Sequence, residues 1–208
     1  SKDRILANWS EEAARLAPGE AGLLALDWLN GRRSPDADQS LKGAVAGLTL
    51  GSTAPRLFRA LVEATAFGSR AIMERFEREG VRAERVVALG GIAQKSPFVM
   101  QVTADVMNVP IQVVASEQAC ALGAAMFGAV AAGKSRGGYD SIFDAARTMP
   151  RLKEEVYRPN LAHAAVYDRL YAEYKTLHDY FGRGANDVMK RLKAIKLASL
   201  AAAGNEEA

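Results

Sequence analysis

Short apolar runs of strand length alternate with longer stretches whose apolar residues recur every three to four positions, and this rhythm organises the chain as far as Gly133. Residues 5–16 read as a short helix stopped by Pro18-Gly19. Residues 23–29 are compact and apolar, and Asn30-Gly31 with Ser34-Pro35 mark a loop after them. The run AVAGLTL (44–50) has strand length. Thr53 is placed to cap a helix whose first turn tolerates Pro55. Phe58, Leu61, Val62, Thr65, Ile72 and Phe76 predict its buried face over residues 54–79, with Gly80 as the stop. Residues 86–89 form the next strand candidate, followed at once by Gly90-Gly91. Ser96-Pro97 joins a capping hydroxyl to a proline at the first helical position and predicts a helix to Asn108. Residues 111–114 read as a strand, Ser116 as a cap, and 117–132 as a small-residue helix.

The three strands are expected to share one sheet with the three helices packed on it, an α/β arrangement. Beyond Gly133 the pattern reads as all-helical. It comprises a short helix from Ser141, a longer one striped by Val166, Leu170, Tyr174, Leu177 and Phe181, and a last one over 184–203.

Composition changes this picture little. Of 208 residues, 49% are hydrophobic and 25% charged, the balance of a globular protein. The net charge of +3, with both signs interspersed, argues against a nucleic-acid partner. Lys190, Arg191, Lys193 and Lys196 form a local basic stretch that reads as a solvated helix face. One cysteine, Cys120, excludes a disulfide framework, favours a cytoplasmic setting and reads as a small buried hydrophobe. No apolar stretch has the length of a membrane span. The two histidines, His163 and His178, have no metal-ligand companions at local spacing and read as structural or surface residues. The chain opens on serine and reads as an excised piece of a longer protein.

Chemistry concentrates at Gly90-Gly91. Without Cβ atoms the chain can turn sharply there and admit a flat ring against its backbone. A plain turn is the other reading of a diglycine. Gly51-Ser52-Thr53, between strand and helix, is open both to a phosphate loop and to an ordinary helix start. Asp27, Asp36, Asp38, Asp105 and Asp140 are the tempting carboxylates, but each fits a loop or an outer helix face, Asp105 the latter, and none is chosen as a base.

The run ALGGIAQKSPFVMQVTADVMNVPIQVVASEQACALGAAMFGAVAAG resembles the adenosine-binding segment and small-residue inter-domain helix of the FGGY carbohydrate kinases. GAVAGLTLGSTAPRLFRALVE is similar to that family's second signature, departing from it at Arg56, and LDWLNGRRSP to one of its loops. The tail VYRPNLAHAAVYDRLYAEYKTLHDYFG resembles the closing helix of the L-ribulokinase branch. The resemblance runs from Ala21 to Gly182 and leaves 183–208 unplaced.

It implies part of an actin-like (ribonuclease H-like) ATPase domain over 1–133, incomplete on its N-terminal side, with a helical extension over 134–208. It further implies ATP and Mg2+ as cofactors, a ketose as substrate and the missing N-terminal domain as partner. A homodimer stays open, and no membrane or nucleic acid is implied. Gly90 and Gly91 would line adenine and ribose. Gln94 and Ser96 are second-rank nucleotide contacts, and Lys95 stands where relatives carry an asparagine that contacts the nucleotide. The Asp-x-Gly-Thr phosphate loop and the catalytic-base segment do not occur, so no catalytic residue and no metal ligand is assigned.

Overall fold

The computed structural model describes residues 2–206. Helix α1 (Lys2–Arg15) leads to strand β1 (Leu24–Leu26), which pairs antiparallel with β2 (Ala44–Ala46), Leu24 facing Ala46. Helix α2 spans Ala54–Arg78. A second sheet has β4 (Ile111–Val114) at its centre, parallel to β3 (Val86–Ala88) on one side and antiparallel to β5 (Leu152–Tyr157) on the other. Around it lie α3 (Gly91–Lys95), α4 (Pro97–Met107), α5 (Ala119–Ala132) and α6 (Ile142–Thr148). Helices α7 (Leu161–Gly182) and α8 (Val188–Glu206) close the chain.

The single sheet expected from 45–50, 86–89 and 111–114 is therefore two sheets. The apolar run 44–50 yields only three strand residues, because Gly47 turns the chain at φ +88°. A Cβ there would stand 2.3 Å from the Gly22 carbonyl oxygen, a close approach that only glycine permits. Leu48 and Leu50 are left exposed beyond that turn. The stretch after Gly133 is not all-helical either. Strand β5 eluded the pattern because Lys153, Glu154 and Glu155 occupy an edge strand of which only Tyr157 is buried, and such edges favour charge.

Helix α2 also buries a different face from the one expected. Phe76 and Thr65 are exposed and Phe58, Leu61, Val62 and Ile72 only half-buried, whereas Arg59, Ala60, Glu63, Ala64, Ala66 and Phe67 are buried. Alanines on that face let α1 and β1 approach closely, and Ala60 and Ala64 pack with Ala21, Leu23 and Ala25. Similarly, the buried line of α7 is Ala164, Tyr167, Tyr171 and Tyr174, so of the expected stripe only Tyr174 is at its centre.

Helix α4 joins two cores. Val102 and Val106 pack with Leu26, Trp28, Phe67 and the three buried tyrosines of α7, while Met100 and Ala104 pack with Ile111, Val113 and Tyr157 under the second sheet. A helix enclosed on two sides is apolar nearly all round. It ends where expected, at Asn108, whose φ of 54° forms a left-handed cap before Pro110. The unplaced stretch 183–208 is anchored at its start: Met189 is buried in the larger core and its Sδ accepts the Lys42 amide at 3.3 Å. Cys120, expected to be buried, is exposed on α5, a helix that packs against α6 and buries none of its own residues.

Candidate functional site

Parallel β3 and β4 end side by side, and in open α/β sheets ligands bind beyond the carboxyl ends of such strands. Here β3 runs straight into Gly90-Gly91. Gly90 precedes α3 at φ +96°, ψ 175°, a conformation essentially confined to glycine. Gly91 is the first residue of α3 and is exposed. A Cβ added at either glycine meets nothing within 4 Å, so the backbone face is open. Leu89 and Ile92 flank it and are 62% and 67% exposed. A bare backbone ledge between two accessible apolar side chains suits a flat heteroaromatic ring.

The other predicted contacts are placed differently. The Gln94 side chain turns away from the ledge and donates to the Val114 and Ser116 carbonyls. Lys95 is exposed in the last turn of α3. The Ser96 hydroxyl accepts the Val99 amide at 3.4 Å as the cap of α4. Gly91 and Lys95 are thus exposed and Gly90 half-buried, while Gln94 and Ser96 bond to the fold.

Gly51-Ser52-Thr53 leads into α2, with Thr53 at the N-cap position but without the side-chain capping bond expected of it. The Ser52 hydroxyl accepts the Thr49 amide at 2.9 Å, and the Thr49 hydroxyl accepts the Gly51 amide at 3.2 Å. The Gly51 and Ser52 amides are thus paired within the loop, the latter with the Thr49 carbonyl at 3.1 Å. The carboxylates are likewise engaged. Asp27 takes the Thr65 hydroxyl at 3.2 Å and lies 3.7 Å from Arg33. Asp36 lies 3.3 Å from Arg183, and Asp140 accepts the Lys134 amide at 3.0 Å. Asp38 accepts from the hydroxyl and amide of Ser40, which hold its carboxyl below the usual range.

Asp105 corrects the expectation of an outer-face residue, being only 3% exposed. It accepts the Asn160 amide and the Gln101 side chain, each at 2.8 Å, and lies 2.9 Å from His163 Nδ1. A buried carboxylate persists because donors surround it, and here they pin the start of α7 to α4.

Pattern reasoning also missed a buried polar centre. Arg59 donates through Nε to Glu63, through Nη1 to the Ala13 carbonyl and through Nη2 to the Tyr167 hydroxyl, each at 2.8 Å. Tyr167 in turn donates to Glu63 at 3.1 Å. Burial pushes the Glu63 carboxyl up against the opposing pull of Arg59, and burial beside Glu63 pushes the Tyr167 phenol up as well. The available signal was the i, i+4 spacing of Arg59 and Glu63. Ordinarily that spacing marks a solvated pair.

The C-terminal domain of the FGGY family of carbohydrate kinases matches residues 2–132. The chain belongs to this family. It is 56% identical to a ribulokinase from Halalkalibacterium halodurans over 186 residues, 89% of this chain and 33% of that protein. Its fold is similar to that of a xylulose kinase from Rhodospirillum rubrum, with TM-score 0.69, 32% identity, and coverage of 83% of this chain and 33% of that one. A ligand-bound xylulose kinase from Lactobacillus acidophilus gives TM-score 0.72 at 26% identity, covering 84% of this chain and 34% of that one. The α/β fold is thus part of an actin-like ATPase domain, as the resemblance implied. The chain spans about a third of the length of the curated relatives it matches. Among the described residues no helix is long and apolar enough to cross a membrane.

Proposed function

We propose that this chain is the adenosine-holding part of an ATP-dependent ribulokinase, and that the full-length polypeptide transfers the γ-phosphoryl group of ATP to L-ribulose, giving L-ribulose 5-phosphate. The observation that carries the sugar is the extent of similarity. Identity to a ribulokinase covers 89% of the chain, reaching beyond the family domain at 2–132 into the tail, while a xylulose kinase of similar fold is 32% identical.

In this reading Gly90 and Gly91 offer backbone to adenine and ribose, Leu89 and Ile92 shield the ring from water, and Lys95, exposed at the end of α3, is the candidate for the nucleotide's polar edge. Phosphoryl transfer also needs a base or positioning carboxylate and a metal on the phosphates. Among the described residues no cluster of three or more His, Cys, Asp or Glu could hold a metal, and no step is assigned to the ion. The engaged carboxylates support placing the base outside this chain.

In this reading the polypeptide as it stands is a nucleotide-binding module, and no turnover is expected of it alone. Helix α5 supports a partner in the rest of the protein, since it carries no charge from Ala119 to Ala132 and Phe127 is 68% exposed on it. The single, unpaired Cys120 suits a reducing cytoplasm.

The test is a coupled assay on the full-length polypeptide with L-ribulose, D-xylulose and glycerol. L-ribulose is expected to give the highest kcat/KM, and preference for another sugar refutes the assignment. The isolated chain should form no sugar phosphate above a no-enzyme control. Sedimentation of the full-length polypeptide tests the homodimer, which a mass of two chains supports.

A further inference from the structure

Helix α3 has only five residues, too few to hold its own shape in water. At its two ends Gln94 N donates to Gly90 O at 3.2 Å and Ser96 N to Ile92 O at 2.9 Å. Ala93 fastens it from below, buried in the core under β3 and β4. From the side the Gln94 side chain holds it. The Gln94 amide nitrogen donates to the Val114 carbonyl at the end of β4 and to the Ser116 carbonyl, at 3.3 Å, two residues further on. An amide nitrogen has two N–H donors, and two carbonyls consume both.

The stretch it grips is itself tied down. Ala115 N donates to Arg151 O at 2.7 Å, and the Ser116 hydroxyl accepts the Gln118 amide at 3.2 Å where α5 begins. Gln94 therefore knits the Gly90-Gly91 turn to the end of β4 and the root of α5. We infer that Gln94 is a positioning residue that sets the height of the glycine ledge and thereby the affinity for the nucleotide without touching it. This rests on the nucleotide reading given above.

The test uses the full-length polypeptide with Gln94→Met, which keeps the length and removes both donors, and Gln94→Lys, which keeps donors for the two carbonyls. Gln94→Met is expected to raise the KM for ATP about tenfold, the scale of one net hydrogen bond. The sugar KM should hold, and Gln94→Lys should restore the ATP KM. The ratio of kcat/KM for ATP and inosine triphosphate, which differ at the edge of the base, should not change. A changed ratio would mean direct contact and overturn the proposal. So would a lower Tm with an unaltered ATP KM, the mark of a purely structural contact. Should Gln94→Met fail to fold, Gln94→Asn, one methylene too short for both carbonyls, replaces it with the same expectation. Gly91→Val separates the two levels of the argument. If it leaves the ATP KM unchanged, the nucleotide reading falls and this inference with it. If it raises that KM while Gln94→Met does not, only the role of Gln94 is overturned.

Discussion

Gly90 and Gly91 differ in a way that makes a matched pair of substitutions decisive. Gly91 lies at a helix start with no positive φ, and an added Cβ meets nothing within 4 Å. Gly91→Val in the full-length polypeptide should therefore fold with nearly unchanged stability while placing a branched side chain on the ledge. If adenine lies there, losing one stacked face and its hydrogen bonds costs about 2–4 kcal/mol, a rise in the ATP KM of roughly 30- to 700-fold. Gly90 has equal room, but its φ of +96° with ψ 175° is hostile to side chains. Gly90→Val should lose about 1–3 kcal/mol of stability from backbone strain alone, in addition to any loss of ATP. The assays are ATP and sugar Michaelis constants with a thermal melt for each variant. A Gly91→Val enzyme that is folded and has normal ATP dependence would refute the placement of the nucleotide. Equal melting losses in both variants would refute the conformational argument.

Three further outcomes follow from the polar contacts. Tyr167→Phe takes an acceptor from buried Arg59 and a donor from Glu63, and should cost about 1–3 kcal/mol in urea unfolding; a loss below about 0.5 kcal/mol refutes the network's role. Asp105→Ala strands the Asn160 amide and the Gln101 side chain and should destabilise by a similar ~1–3 kcal/mol, with proteolytic nicking near the start of α7; an unchanged melt refutes it. Asp38 has a lowered folded pKa, so its contribution is present above the unfolded value and is lost as pH falls through the folded one. The stability gap between wild type and Asp38→Asn should thus narrow from about pH 5 to about pH 3, and a widening gap refutes this.

Much of this protein was legible in local pattern. The α4 start at Ser96-Pro97, its end at Asn108, the strand at 111–114 and the diglycine after 86–89 were all readable, because caps, stops and short apolar runs are written within a few residues. Family membership was legible for the same reason, from contiguous motifs.

Tertiary structure alone decided which runs pair and which faces are buried. Residues 44–46 turned to β1 because of the approach of Gly47 to the Gly22 carbonyl, a contact between segments with no trace in either one. The true face of α2 was hidden because burial there is set by partners. Arg59 and Glu63 lie inside only because Tyr167 and the Ala13 carbonyl, distant in sequence, satisfy them, and Asp105 is buried because Asn160 and His163 arrive from α7. Residue type sets the cost of leaving water, but the donors and acceptors that offset it come from elsewhere in the chain, and only the fold brings them together.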